Sequence, residues 1–217
     1  MTEYLPWLVL ALLGGFHGVN PGMGWLFAVA LGLQERSRAA VLRAFGPIAL
    51  GHAASVALVV GLVGAVQLWV APGALRALGA GVLVAFGLYK LLAPMSHPRW
   101  VGMRVGARDL TVWSFLMATA HGAGLMLVPV LLDLPIADAY AAAHADHALM
   151  MTTPGVLTGA ELAAVGVHTA GMYLVMGAIA LLVFEKVGVA ILRRAWFNLD
   201  RVWAGALIAA GMGTLLF

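Results

Sequence analysis

Long apolar stretches alternate with short polar ones along the whole chain. A bilayer core about 30 Å thick is crossed by roughly 20 apolar residues of α-helix. Six stretches that hold few charges approach or exceed that length, and we number them segments 1 to 6. The pattern predicts an all-α integral membrane protein whose six transmembrane helices lie at residues 4–34, 44–75, 74–92, 110–132, 162–184 and 202–217.

The composition supports a membrane protein and excludes other classes. Of the 217 residues 63% are apolar and 10% are charged, whereas soluble domains have about 45–50% and about 25%. Nine acids and twelve bases cannot cover the surface of a soluble protein of this size. A secreted, disordered or nucleic-acid-binding protein is therefore excluded, and residues 1–217 are expected to form one transmembrane domain in contact with the lipid bilayer.

The distribution of basic residues predicts the orientation in the membrane. All of the twelve bases except Arg76 lie in or beside the loops after segments 1, 3 and 5. Lys and Arg accumulate on the cytoplasmic side, so these loops are expected there and both termini outside. The loop at residues 133–161 holds four acids, two histidines and no base, and we expect it to be external. We expect a multi-pass protein of the bacterial inner membrane.

Two halves of the chain resemble each other. Residues 51–61 match residues 167–177 at five positions, among them His52 with His168. The pair His17-Gly18 in segment 1 has a counterpart, His121-Gly122, in segment 4. Three helices per half is an odd number, so the second half must enter the membrane in the opposite direction. The sequence thus predicts two inverted three-helix repeats, about 1–95 and about 109–217, a plan typical of secondary transporters.

Four histidines are the candidate functional groups within the apolar segments, which contain no Asp or Glu. Ionisable residues at membrane depth are costly and commonly mark a pathway or a site. At 1.5 Å per residue, His17 and His121 lie near the middle of their segments, with His52 and His168 nearer to opposite membrane surfaces. The alternative interpretation is a set of neutral imidazoles that only pack helices together.

Segments 1 and 4 carry helix-breaking residues directly after their histidines. Segment 1 contains Asn20-Pro21-Gly22-Met23-Gly24, and segment 4 contains Gly122-Ala123-Gly124. A proline removes a helical hydrogen bond, and irregular backbone at membrane depth is tolerated where it is buried or lines a cavity. We therefore expect a binding site at these breaks, although close packing of small residues would also account for them.

Further groups extend the candidate site. Asn20 and Met23 lie in the first break, and Met126 follows the second. Thioether and imidazole together suit Cu(I) or another late transition metal. The external loop carries His144, Asp146 and His147, which could capture a divalent cation or could form an ordinary solvated loop. No cysteine, nucleotide-binding loop, HExxH motif or Ser/His/Asp arrangement is present in the sequence, and we do not expect an enzyme.

The stretch Gly15-Phe16-His17-Gly18-Val19-Asn20-Pro21-Gly22, followed by an apolar run, basic residues and Gly51-His52, resembles the lysine-exporter (LysE) superfamily. The His-x-x-x-Pro spacing and the Gly-His pair are most similar to its nickel/cobalt-efflux branch. This resemblance implies six helices in two inverted repeats and the export of amino acids or of metal ions. In that branch the motif usually continues as Pro-Asp-His, whereas in this chain Gly22 and Met23 follow Pro21.

These observations favour a secondary transporter of a small cation, with a transition metal (nickel, cobalt, copper or zinc) as the first candidate. His17 and His121 would form the central site, with His52 and His168 as flanking ligands or proton carriers. A second hypothesis is an exporter of a small amino acid or other zwitterion, and a third is a membrane assembly factor that holds a metal or haem. The sequence predicts no definite cofactor, with a transition-metal ion as the candidate, and it does not decide between a monomer and a homodimer.

Overall fold

The computed structural model describes residues 4–67, 69–92, 106–133, 159–187 and 199–216. Within these ranges the chain is all-helical, and each of the six predicted segments lies on one helix or on two consecutive helices. The helices are α1 (Leu5–Val19), α2 (Trp25–Glu35), α3 (Arg38–Gln67), α4 (Pro72–Leu92), α5 (Ala107–His121), α6 (Val128–Asp133), α7 (Gly159–Leu182) and α8 (Leu199–Leu216).

Three of the described helical stretches are long and apolar enough to cross a membrane, namely Arg38–Val66, Gly73–Leu92 and Glu161–Lys186. Segments 1 and 4 are each divided into two shorter helices, and the apolar part of segment 6 is Ala204–Leu215. Large apolar side chains such as Leu12, Leu62 and Leu174 are exposed. A soluble protein rarely exposes so much apolar surface, whereas lipid covers it favourably.

The helices pack in three main pairs. α1 lies against α7, α3 against α5, and α4 against α8. Two of these crossings are close because they involve glycine: a methyl group on Gly14 would overlap the backbone carbonyl oxygen of His168, and one on Gly51 would overlap that of Thr111. Small residues at such crossings let helix backbones approach in a membrane, where dispersion contacts replace the hydrophobic drive. The crossings bring His168 against α1 and the middle of α3 against the start of α5.

Segment 1 is broken between Val19 and Trp25. Pro21 has no N–H to continue the helix, and Asn20 adopts an extended conformation with ψ of 120°. The Asn20 side chain then accepts a hydrogen bond from the Gly22 N–H at 2.9 Å. A 3₁₀ turn at Pro21–Met23 follows, and Gly24, with φ of +119°, lets the chain restart as α2.

Segment 4 is broken directly after His121. Gly122 has φ of +70°, a left-handed conformation that glycine adopts without strain. The Gly122 N–H donates to the Thr119 carbonyl at 3.0 Å, and the Ala123 N–H donates to the Ala118 carbonyl at 2.9 Å. These two bonds form a Schellman motif, which pairs the last helical carbonyls. The breaks expected from Pro21 and from Gly122 are both confirmed.

Candidate functional site

Three histidines from three helices meet inside the helical bundle. His17 on α1, His52 on α3 and His168 on α7 are each fully buried. The ring centroid of His17 lies 4.8 Å from that of His168 and 5.5 Å from that of His52, with both contacts edge-to-face. The rings of His52 and His168 are stacked at 5.4 Å with 13° between their planes. We call these three residues the histidine cluster.

Backbone carbonyls of α1 orient two of the three rings. His17 Nδ1 lies 2.8 Å from the Leu13 carbonyl oxygen, and His168 Nδ1 lies 3.3 Å from the Leu10 carbonyl oxygen. A carbonyl can only accept a hydrogen bond, so Nδ1 carries the proton in both rings. In the neutral imidazole Nε2 then holds the lone pair, which can bind a metal ion or accept a proton.

His52 differs from the other two members of the cluster. Neither of its ring nitrogens has a hydrogen-bond partner among the described residues, and the same holds for Nε2 of His168. Buried polar atoms are satisfied in the large majority of cases, and leaving one unsatisfied costs about 1–3 kcal/mol. The cluster therefore offers lone pairs and a donor to a polar ligand inside the helical bundle.

The fourth histidine, His121, lies at the end of α5 and faces the break in segment 1. It is buried, and its Nδ1 lies 2.8 Å from the Met117 carbonyl oxygen. This contact with the carbonyl four residues earlier repeats the contact of His17 with Leu13. A methyl group placed on Gly22 would lie 3.7 Å from His121 Cε1 and 3.3 Å from Met117 Cε, so His121 packs close to the break.

The break in segment 1 leaves one further polar group without a partner. Asn20 is buried, and its Oδ1 accepts the Gly22 N–H. Its Nδ2 has no hydrogen-bond partner among the described residues. An amide N–H₂ is a donor only, so this group suits an oxygen of a ligand and cannot itself coordinate a cation.

The sequence did not predict the ring contacts within the histidine cluster. The prediction placed His17 and His121 at a central site, with His52 and His168 as flanking groups nearer to opposite surfaces, whereas His17 makes ring contacts with His52 and His168. One reason is that α3 begins at Arg38 rather than at residue 44, so His52 lies about 21 Å along its helix. Another is the glycine crossing of α1 and α7, which brings His168 to the level of Leu10.

The two predicted methionines lie in different clusters. Met23 is buried with Trp113 and Met117, close to the break in segment 1. Met126 is buried with Leu83 and Leu207, which are residues of α4 and α8. The residues proposed for external capture, His144, Asp146 and His147, lie outside the described residues.

The described residues contain no group of three or more His, Cys, Asp or Glu side chains arranged to hold a metal ion. The three rings of the histidine cluster are neighbours, but two of them are stacked, so their nitrogens do not converge on one point. Imidazole is nevertheless a suitable ligand for nickel, copper and zinc. Binding of such an ion by all three would require the rings to reorient.

Sequence reasoning missed two features of the site. Trp113 on α5 donates its indole N–H to the Gly22 carbonyl at 3.3 Å, and the Ser55 hydroxyl lies 2.8 Å from the Thr119 hydroxyl across the α3–α5 interface. A tryptophan six residues into a predicted membrane helix resembles an ordinary interfacial anchor. No sequence signal separates Trp113 from that role, because its acceptor lies 91 residues away.

The chain matches no protein-family model, no curated protein and no solved structure. The resemblance to the LysE superfamily therefore depends on the motif in residues 15–55 alone. The buried histidines and the breaks beside them are the features of the molecule that bear on its function.

Proposed function

We propose that this protein is a secondary transporter that carries a small cation, a transition metal ion, across the membrane in exchange for protons. The observation that carries the proposal is the histidine cluster. Three fully buried imidazoles from three different helices are in mutual ring contact. Apolar side chains would pack these crossings at lower cost, since polar groups at membrane depth are expensive and are typically functional.

The pairing of the helices supports six spans in two inverted repeats. The main contacts join segments 1 and 5, segments 2 and 4, and segments 3 and 6. A two-fold relation between the repeats exchanges segment 1 with 4, 2 with 5 and 3 with 6. This exchange turns the pair 1–5 into the pair 4–2 and leaves the pair 3–6 unchanged, so the observed pairs are those that the relation requires. Transporters of this plan bind substrate at broken helices near the membrane centre.

The two broken segments also resemble each other locally. In each, a histidine in the last turn of the first helix directs Nδ1 to the carbonyl four residues earlier. In each, the chain between the two helices also contains a glycine with positive φ and a 3₁₀ turn. Under this proposal, His17 and His121 occupy equivalent positions in the two repeats.

Proton exchange follows from the chemistry of imidazole. A metal ion and a proton compete for the same Nε2 lone pair, so loading of the metal releases protons. The amount bound should therefore fall as the pH drops below about 6.5, the ordinary range of histidine. Equilibrium binding of Ni²⁺ or Zn²⁺ to the purified protein between pH 5 and pH 8 measures this dependence, and binding that is constant over the range would contradict it.

Transport itself is tested in proteoliposomes with a metal-sensitive dye inside the vesicles. We expect flux of at least one of Ni²⁺, Co²⁺, Zn²⁺ and Cu⁺, and a loss of at least tenfold in His52→Ala and in His168→Ala. His97→Ala, in the predicted cytoplasmic loop, serves as the matched control and should keep the wild-type rate. Full flux in a His52→Ala, His168→Ala double variant would contradict a role for the cluster. Wild-type flux in the His17→Ala, His121→Ala double variant would contradict the predicted roles of those two residues.

The orientation is tested separately. The basic loops predict a bacterial inner-membrane protein with both termini outside, so reporters fused after residue 217 and within residues 141–150 should be extracytoplasmic. A reporter within residues 97–108 should be cytoplasmic. A cytoplasmic C-terminus would contradict both the six-span count and the inverted repeat.

A second function, export of a small amino acid or other zwitterion, is favoured by one observation. The buried Nδ2 of Asn20 is a donor with no partner among the described residues, and it would suit a carboxylate oxygen. Export that is insensitive to chelators and is lost in Asn20→Ser, which keeps an oxygen for the Gly22 N–H, would support this function. Tightly bound metal without flux would instead support an assembly factor.

A further inference from the structure

Two tryptophan side chains hold the break in segment 1. The Trp25 indole N–H donates to the Val19 carbonyl at 3.2 Å, and the Trp113 indole N–H donates to the Gly22 carbonyl at 3.3 Å. Among the described residues, neither carbonyl accepts a backbone hydrogen bond across the break. The two indoles therefore satisfy acceptors that a continuous helix would have paired internally.

The two bonds differ in where the donor comes from. Trp25 is the first residue of α2, six residues beyond its acceptor, so this bond is local to segment 1. Trp113 is on α5, in the other half of the chain. Its ring is also in edge-to-face contact with Phe27 of α2, at 5.1 Å, and is buried with Met23 and Met117. One side chain of the second half thus contacts both the break and the helix that follows it.

The position of this contact matters for the site. The break carries Asn20 and directly follows His17, and it packs against His121 on the same helix as Trp113. Inverted-repeat transporters expose their site alternately to the two sides when one group of helices moves against the other. A contact from α5 to the break in segment 1 lies where such a movement would take place.

We propose that Trp113 is a positioning residue that holds the break in segment 1 against α5 and is released when the site opens to the other side of the membrane. This inference rests on the proposed transport function. Trp113 links α5 to the break in segment 1, whereas Trp25 only completes the local turn. Replacement of Trp113 by Phe keeps an aromatic ring and removes the N–H donor.

Cysteine labelling tests this proposal without any transported substrate, because the chain has no cysteine of its own. A single cysteine in Met117→Cys, beside the break, is treated in membrane vesicles with a small membrane-impermeant thiol reagent from each side. Adding Trp113→Phe should raise the labelling rate at least fivefold from one side. Trp25→Phe is the matched control. When it is added to Met117→Cys instead, the labelling rate should stay within twofold of that of Met117→Cys alone.

Two results would overturn the proposal. An equal rise in Trp113→Phe and Trp25→Phe would mean that the break is simply loosened, and an unchanged rate in Trp113→Phe would mean that the contact holds nothing. If Trp113→Phe does not yield a monodisperse protein, Phe27→Leu replaces it, because it removes the ring that packs on Trp113, and the same fivefold criterion applies. Absence of metal flux in the wild type would contradict the proposed function, but it would leave the labelling result to decide the role of Trp113.

Discussion

The two broken segments reach a similar shape by different physical means. The break in segment 4 is closed by its own backbone: Gly122 turns left-handed, and two N–H groups pair with the last carbonyls of α5. The break in segment 1 has backbone turn bonds, such as that from the Met23 N–H to the Asn20 carbonyl at 3.0 Å. It depends in addition on side chains, since Asn20, Trp25 and Trp113 each pair one of its backbone groups. Hydrogen bonds within the local backbone keep their geometry when the helix moves as a unit. The bond from Trp113, in contrast, forms only when α5 lies beside the break in segment 1.

This difference implies different roles for the two breaks in the proposed transporter. We expect the break in segment 4, which directly follows His121, to keep its shape when the surrounding helices move. The break in segment 1 carries Asn20 and follows His17, and one of its bonds crosses between the two halves. We therefore expect substitution of Gly122 in the segment 4 break to act mainly on stability, and substitutions in the segment 1 break to act on stability and on function separately.

The largest effect is expected from the glycines with positive φ. Gly122→Ala forces a side chain into the left-handed region at a cost of about 1–2 kcal/mol, and its methyl group would lie 2.9 Å from the Phe86 ring. Gly24→Ala, with φ of +119° and the Ile48 side chain 3.1 Å from the added methyl, should cost at least as much. Unfolding in detergent measures both changes.

Gly81→Ala is the matched control for these substitutions. Gly81 lies within α4 and has no atom within 4 Å of an added methyl group, so alanine should be neutral or stabilise the protein by up to about 1 kcal/mol. Equal losses of stability in Gly81→Ala and Gly122→Ala would show that the left-handed turn contributes nothing special.

A smaller effect is expected at Asn20. Asn20→Ala removes the acceptor of the Gly22 N–H, and loss of a comparable capping side chain costs about 1 kcal/mol. Asn20→Ser retains an oxygen and should recover most of that stability while still lacking the amide donor. Comparison of unfolding with flux for the two variants separates the capping role of Asn20 from contact with a ligand. A loss of stability as large in Asn20→Ser as in Asn20→Ala would contradict the capping role.

The smallest effect is expected at Pro21, although it is the most visible helix breaker in segment 1. In Pro21→Ala the cap from Asn20, the left-handed Gly24 and both indole bonds remain, so the break should persist. The free energy of unfolding should change by less than about 1 kcal/mol, the size of the effect of a proline on the unfolded chain. A loss greater than that of Asn20→Ala would mean that the proline itself, rather than these contacts, maintains the bend.

Much of the fold could be predicted because the signals are local. Apolar length predicted where the helical segments lie, and Pro21, Gly24 and Gly122 predicted where two of them break. The site could be predicted only in its parts. His17, His52 and His168 were recognisable as costly polar groups at membrane depth, but their grouping depends on how far each helix extends and on how α1 crosses α7.

The sequence by itself determined the helical membrane class, the segments and the four buried histidines, because hydropathy and backbone preference act over a few residues at a time. Only the tertiary structure decided that His17 contacts His52 and His168, that Met23 and Met126 lie apart, and that Trp113 reaches the Gly22 carbonyl. The contacts of His17 and of Trp113 join residues far apart in the chain. They depend on which helices cross and how closely, as at the α1–α7 crossing where Gly14 lets the backbones meet, and no local pattern specifies those crossings.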